Sequence, residues 1–280
     1  MDELNAMEQL SLAEQTNRIS RVVGVMSGKG GVGKSLVTGL LASALHKEGH
    51  SVGILDADIT GPSIPKMFGV TDRPDASELG IFAAETESGI KVVSINLFLD
   101  RPDDAVIWRG PMIAGTIKQF WAEVLWGDLD YLLIDLPPGT ADAPLTVMQS
   151  IPLDCVVIVT SPQDLAAMVV RKALSMCRQL DVPVLGLVQN MAYLDCPSCS
   201  ERIYPFGKTD GDALAAGMGV PYLLDIPIDQ HISRLADEGM IERYDANPFA
   251  DKVLAITNSI ESIARGKESR AGNESHPCSR

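Results

Sequence analysis

The chain has 280 residues, 46% of them apolar and only 5% aromatic, with 23 basic and 37 acidic side chains for a net charge of −14. That length and apolar share suit one α/β unit with a core of Val, Ile, Leu, Ala and Met. The charge argues against a nucleic-acid backbone or an anionic membrane as the main partner, and no apolar run reaches the roughly 18 residues of a membrane span.

Residues 1–20 read as a helical N-terminal extension. "MDELNAMEQLSLAEQ" is acidic and amphipathic, with Leu4, Met7, Leu10 and Leu12 near one face over residues 2–17. It lacks the basic start and apolar stretch of a signal peptide, so a cytoplasmic protein with reduced cysteines is expected. "RVVGVMS", Arg21 to Ser27, is a β-rich run that leads into a glycine loop. "KSLVTGLLASALHKEGH" then carries apolar residues at helical spacing, with His46 and Lys47 in the last turn and Gly49 as the stop. The next strand is "SVGILDAD", Ser51 to Asp58. Further apolar runs start at Lys91, Asp130, Asp154 and Pro183, and helical patterns include "PMIAGTIKQFWAEVLW" and "LAAMVVRKALSMCRQL". Nearly continuous Val, Ile and Leu marks strands covered on both faces. Their alternation with helices predicts a doubly wound, mostly parallel α/β sheet over residues 21–264. Residues 57–90 and 191–225 break this rhythm and are expected as surface excursions. Residues 265–280 lack apolar periodicity and read as a disordered tail.

Gly28 to Ser35 fits G-x-x-x-x-G-K-[ST], after a predicted strand and at the opening of a predicted helix. Glycines let the backbone curl so that its N–H groups point at phosphate oxygens, and the helix N-terminus adds partial positive charge. Gly28, Lys29, Gly30, Gly31, Val32, Gly33, Lys34, Ser35 and Leu36 are therefore the expected nucleotide-binding segment of a P-loop NTPase. Lys34 would reach the outer phosphates, and the Ser35 hydroxyl would ligate Mg²⁺. Asp135 ends the run "YLLID" and suits the same Mg²⁺. The "LPPGT" after it suggests a switch loop. Asp56 and Asp58 end another strand near this edge. One is expected to position an attacking water (Asp58) and the other to support the metal shell (Asp56); the alternative is that both are solvated turn residues.

The sequence K-G-G-V-G-K-S from Lys29 resembles the deviant phosphate loop of the MinD/ParA/nitrogenase iron-protein class of ATPases. That resemblance implies that Lys29 crosses a homodimer to the partner's nucleotide, supplementing charge neutralisation as an arginine finger does.

Cys196 and Cys199 form one C-x-x-C in the late excursion. Tetrahedral zinc and cubane iron–sulfur sites usually want four protein ligands. Cys155 and Cys177 fall in predicted core elements and Cys278 in the tail, so none completes the set within one chain. A two-fold dimer would supply the other pair. Iron–sulfur, zinc and redox roles all remain open on spacing alone.

With "GKGGVGKS", "DADITGPSIPKMFG", "WRGPM", "YLLIDLPPGT", "TSPQDLA", "PVLGLVQNMAYLDCPSC" and "IPID" in that order, the chain from about Arg21 to Ile263 resembles the Mrp/ApbC family of iron–sulfur cluster carrier ATPases. The resemblance implies slow ATP hydrolysis and a homodimer. It also implies a [4Fe–4S] cluster received from an upstream scaffold, held between subunits and passed to apo-proteins, with no nucleic-acid or membrane partner. It places Asn190, Pro227 and Asp229 at the base of the nucleotide, and Trp108, Arg109 and Gly110 at the dimer face; the alternative for Trp108 is a cap on the core. Ala141 stands where many members have a second switch-loop glycine. The competing readings are a MinD/ParA-like spatial organiser and a zinc-stapled nucleotide-binding adaptor.

Overall fold

The computed structural model describes residues 16–58, 61, 63–77, 80–98, 110–163 and 166–274. In chain order the strands and helices begin with β1 (Arg18–Ser27), α1 (Lys34–Lys47), β2 (Val52–Asp56), α2 (Ile64–Met67), β3 (Ala76–Ser77), β4 (Gly80–Phe82), β5 (Ala84–Glu85) and β6 (Lys91–Ser94). They continue with α3 (Gly110–Glu123), β7 (Val124–Leu125), β8 (Asp128–Asp135), α4 (Asp142–Ser150), β9 (Cys155–Thr160), α5 (Ala166–Gln179) and β10 (Val184–Gln189). The last are β11 (Leu194–Asp195), β12 (Arg202–Ile203), α6 (Gly211–Met218), β13 (Tyr222–Asp225), α7 (Gln230–Asp237) and α8 (Val253–Glu274).

The main sheet has eight strands in the order β13-β10-β9-β1-β8-β2-β6-β5. Every pairing is parallel except the edge pair β5–β6. Alternation sorts the side chains between two cores. Val23, Val25, Val157 and Val159 face the layer holding α1, α2, α7 and α8. Val22, Met26, Val156 and Ile158 face α3, α4, α5 and α6. Both faces are therefore buried, which is why the central strands read as unbroken apolar runs. The carboxyl ends of β1, β2, β8, β9 and β10 lie along one edge, where open α/β sheets carry their sites. Among the described residues no helix is long and apolar enough to cross a membrane.

Four boundaries differ from the sequence expectation. The predicted helix over residues 2–17 falls almost wholly outside the described residues, as do Trp108 and Arg109. What can be seen is that β1 begins at Arg18, so the last part of the assumed extension is strand. Asn17 holds that start by donating to the Val124 carbonyl (2.8 Å) and accepting from the Gly127 N–H (3.0 Å). The segment after Asp58 is no simple surface excursion: Ile64, Met67, Phe68 and Val70 are buried against α1. Their spacing is that of one helical turn, too short to show as periodicity. The second excursion likewise contains α6 and the sheet strand β13, whose four residues follow a proline and read as loop. Finally, α8 runs to Glu274 instead of giving way to a disordered tail near residue 265. Its Arg, Lys, Glu and Ala residues favour helix without an apolar stripe, and Lys267 Nζ donates to the Leu153 carbonyl at 2.8 Å.

The turn after α2 and the turn after α7 meet glycine to glycine. Gly69 and Gly239 have φ of 66° and 75°, and a Cβ on Gly239 would lie 2.6 Å from Gly69 Cα. The contact ties the chain beyond Asp58 to α7. Gly239→Ala should lower stability by roughly 2–4 kcal/mol, through the left-handed backbone and overpacking together. A denaturant midpoint unchanged from the parent would contradict this account of the contact.

Candidate functional site

The glycine loop joins β1 to α1. Gly31 and Gly33 have φ of 77° and 81°, conformations that β-carbon-bearing residues rarely adopt. Close approach also fixes two glycines of the loop, Gly28 and again Gly33. A Cβ at Gly28 would lie 2.0 Å from Val169 Cγ1 of α5, and one at Gly33 would lie 2.1 Å from Asn190 Nδ2. Gly31 faces open space, and a Cβ at Gly30 would make only an ordinary contact, 3.9 Å from Pro138 Cβ. The loop is thus braced on its outside and clear where phosphates would lie, with the N-terminal N–H groups of α1 behind it.

Lys34, Ser35 and Asp135 converge beside this loop. Lys34 Nζ is 2.8 Å from Asp135 Oδ2 and 3.6 Å from Asp58 Oδ2. The Ser35 hydroxyl donates to Asp135 Oδ2 at 2.5 Å, and the Thr38 hydroxyl to Oδ1 at 2.8 Å. Lys34, Asp56, Asp58 and Asp135 are all buried. Parallel registration creates the cluster, because β8 places Asp135 opposite both Val25 of β1 and Asp56 of β2. Burial first, then the neighbouring Asp135 charge, pushes the Asp56 carboxyl up to about 8, with Lys34 opposing. Asp56 also holds the following turn: its carboxylate accepts from the N–H groups of Asp58 (3.2 Å), Ser63 (3.2 Å) and Ile64 (3.3 Å) and from the Ser94 hydroxyl (3.3 Å). Its visible work is therefore to shape the segment that carries Asp58.

Three carboxyl groups crowd around one ammonium here, with Asp56 holding a proton. Hard oxygen donors from Ser35 and Asp135 already touch, so the donor set fits Mg²⁺. Ser35 and Asp135 would hold the ion. Asp56 lies next to them on the sheet and is committed to its turn.

Asn190 follows β10 and is buried. Its Nδ2 donates to the Val32 carbonyl at 2.8 Å, so it braces the phosphate loop from behind. One N–H and the side-chain carbonyl remain to meet a base. Pro227 stands beside it, because Ile226 N–H donates to the Gln189 carbonyl (2.9 Å) and Ala192 N–H to the Ile226 carbonyl (2.9 Å). Asp229 has a structural job that spacing did not reveal. It caps α7 by accepting from His231 N–H (2.7 Å), and its other oxygen accepts from the Tyr244 hydroxyl (2.7 Å).

Lys29 is half-buried, and its ammonium donates to the Gln163 side-chain carbonyl in the loop after β9. Sequence reasoning missed Gln163 and Thr38. The first sits in "TSPQDLA", a motif quoted without a role; the second is one more hydroxyl inside an apolar helix, with no signal of its own.

The cysteine pair caps the antiparallel hairpin β11–β12. Cys196 N–H donates to the Glu201 carbonyl (2.9 Å), and Ser200 N–H to the Cys196 carbonyl (2.8 Å). Ser200 takes a φ of 58° to close the turn. Backbone N–H groups of Ser198 and Cys199, then the Cys199 thiol, hold the Cys196 thiol below its ordinary range, which favours a ligating thiolate. Cys155 and Cys177 are buried, and burial pushes both thiols up to about 12, so they are inert packing groups. Among the described residues no cluster of three or more His, Cys, Asp or Glu is placed to hold a metal, so the hairpin offers two ligands per chain.

The Asp56 pKa gives a sign to test. Between the ordinary 3.8 and about 8, the folded state holds a proton that the unfolded chain has lost. Stability of the nucleotide-free protein should therefore fall as pH rises through this window, by up to about tenfold in the folding equilibrium per pH unit from this group. Asp56→Asn should flatten that slope, gaining on the parent as pH rises from the ordinary 3.8 to about 8 and gaining no more above it. Parallel slopes for parent and variant in denaturant titrations at several pH values would rule out the protonated Asp56.

A family model described as ParA, NUBPL iron-transfer P-loop NTPase, matches residues 18–261. An iron-sulfur cluster carrier protein of Clostridium perfringens is 44% identical, over 85% of this chain and 87% of its own. The cytosolic Fe-S cluster assembly factor NUBP2 of Gallus gallus is 40% identical, over 95% of this chain and 100% of its own. A solved nucleotide-binding protein in complex with ADP from Archaeoglobus fulgidus is 48% identical, covering 82% of this chain and 90% of that one at a TM-score of 0.74. A MinD cell-division ATPase of Pyrococcus furiosus, 23% identical over 88% of this chain and 100% of its own at a TM-score of 0.57, shares the fold. This chain belongs to the ParA/NUBPL family of iron-transfer P-loop NTPases.

Proposed function

We propose that the protein is an ATP-binding, slowly ATP-hydrolysing homodimeric carrier of [4Fe–4S] clusters in the cytoplasm. It would receive the cluster from an upstream scaffold, hold it between two copies and pass it to apo-proteins. The observation that carries this reading is the hairpin. It presents two outward thiols, one of them activated, with no third ligand among the described residues. It stands on the same sheet edge as a phosphate loop with a second lysine. Two copies supply the four thiolates that a cubane cluster takes. The related carrier and assembly proteins, named for that cargo, support the choice of cluster over zinc.

The residues divide the work. Lys34 would exchange its contacts with Asp135 and Asp58 for the outer phosphates of ATP. When bound, Mg²⁺ supplies charge neutralisation at the phosphoryl oxygens. Asp58, freed of Lys34 and held in place by the Asp56 turn, would orient the attacking water. Lys29, held on the outside of its own loop by Gln163, would turn to the nucleotide of the partner and complete that site. Hydrolysis then requires the dimer, and the dimer is also what holds the cluster.

Two variants separate these roles. Cys196→Ala with Cys199→Ala should lose cluster delivery to an apo-ferredoxin while nucleotide affinity stays within about twofold of the parent, since exposed hairpin thiols touch no loop residue. Lys29→Ala should keep nucleotide binding to the monomer but lose about 10³-fold in hydrolysis, the lower range for a trans-acting cation. Delivery that survives loss of both cysteines would refute the carrier site, and undiminished hydrolysis without Lys29 would refute its action in trans.

A further inference from the structure

Asp135 is gripped by three donors from one helix. Lys34 Nζ (2.8 Å) and the Ser35 hydroxyl (2.5 Å) both reach Oδ2, and the Thr38 hydroxyl reaches Oδ1 at 2.8 Å. Residues 34 and 38 lie one turn apart on α1 and 35 lies beside 34, so one end of the helix supplies the whole grip. The main chain under the carboxylate is fixed as well. The Asp135 carbonyl accepts from Ala57 N–H at 3.0 Å, and β8 pairs with β1 on one side and β2 on the other.

The three donors differ in what a ligand would do to them. Lys34 and Ser35 belong to the phosphate loop, and both have work with the nucleotide and Mg²⁺ in the proposed function. Thr38 has none. It is fully buried, one turn along α1 from the loop, with Val37, Leu40 and Leu41 buried around it in sequence. A hydroxyl in such a place is tolerated only with a partner. Its one proton has two acceptors in reach, the Lys34 carbonyl at 3.2 Å and Asp135 Oδ1 at 2.8 Å. The shorter bond, to a carboxylate, is the stronger. The Thr38 bond is therefore the one that persists when Lys34 and Ser35 exchange theirs.

We propose that Thr38 is the positioning residue of the metal site. By taking Oδ1 it leaves Asp135 only Oδ2 to face a cation, and so sets a preference for Mg²⁺ over Ca²⁺. The inference rests on the reading that Ser35 and Asp135 hold Mg²⁺, and it adds which cation the pair selects and why. Mg²⁺ demands a near-ideal octahedron, which the narrow bite of a two-oxygen carboxylate strains; Ca²⁺ is larger and takes carboxylates through one oxygen or both. A carboxylate held to one oxygen suits the first ion and denies the second its extra ligand. Partners of metal ligands typically tune affinity by about 10–100-fold.

The test is ATP binding by the full chain, measured by titration calorimetry in EDTA, in Mg²⁺ and in Ca²⁺. The parent is compared with Thr38→Val, Thr38→Ala, Thr38→Ser and Asp135→Asn. Valine keeps the volume without the hydroxyl, alanine removes both with no new contact, and serine keeps the hydroxyl. Binding in EDTA reports the fold and should agree within about threefold between the parent and the Thr38 variants. Thr38→Val and Thr38→Ala should lose at least about tenfold of the affinity that Mg²⁺ adds. They should lose much less of what Ca²⁺ adds, so the Mg²⁺-to-Ca²⁺ ratio falls, and Thr38→Ser should keep the parent's ratio. Hydroxyl-free variants that hold the parent's ratio, or lose the two gains alike, overturn the positioning role and leave the Mg²⁺ reading standing. So does a Thr38→Ser protein that loses the ratio. A parent whose affinity Mg²⁺ does not raise, or an Asp135→Asn protein that keeps the full gain, overturns the metal reading and the role of Thr38 with it.

Discussion

Lys34 and Asp135 make the contact on which the rest of the site depends. It joins the phosphate loop to the middle of the sheet through a 2.8 Å buried ion pair, with the hydroxyls of Ser35 and Thr38 completing the carboxylate's partners. Removing one partner of such a pair typically costs about 3–5 kcal/mol, because the other charge is left buried and alone. The pair therefore has to be replaced, not merely broken. Under the proposed function, a phosphate group that takes Lys34 and a divalent cation that takes Asp135 would do this together, so the site would accept the metal–nucleotide complex better than either part. Asp56, in register beside Asp135, carries the cost of crowding carboxylates by holding a proton.

The nucleotide edge and the cysteine hairpin are joined by main chain and by one side chain. Asn190 grips the Val32 carbonyl of the phosphate loop and sits at the end of the strand that leads to the hairpin. The segment around Pro227 then clasps both sides of this connection, with Ile228 N–H donating to the Tyr193 carbonyl at 2.7 Å. A shift of the phosphate loop that moves Val32 acts directly on Asn190, and the hairpin begins just beyond it. In the proposed carrier this would give nucleotide state a short physical route to the cysteine pair. Lys29 would add a second link in the proposed dimer, since the residue proposed to complete the partner's site is held by Gln163 in the single chain.

Most of the frame was legible from residues alone because it rests on local rules. Unbroken Val, Ile and Leu runs marked strands buried on both faces, and the glycine loop, Asp135 and the cysteine pair carry their chemistry in fixed spacing. What was not legible depends on distant contacts. The turn of helix at Ile64 exists because Phe68 packs on α1 and Gly69 meets Gly239, neither visible nearby in sequence. The polar end of α8, from residue 265, reads as a tail until Lys267 reaches the Leu153 carbonyl. Asp229 carries the right residue type for a base-side role, yet its two oxygens serve a helix cap and Tyr244. Asn190 and Asp56 were expected at the site from their motifs, but their bracing of the loop and the turn follows from tertiary register, which spacing does not encode.

The central claim is that two copies of one hairpin share one cluster. The most direct measurement is a count of iron, sulfide and zinc per chain after anaerobic reconstitution, with the visible spectrum. About two irons and two sulfides per chain in a brown protein would be one cubane cluster per dimer, as this account requires. A colourless protein with about half a zinc per chain would make the pair a structural staple and contradict it.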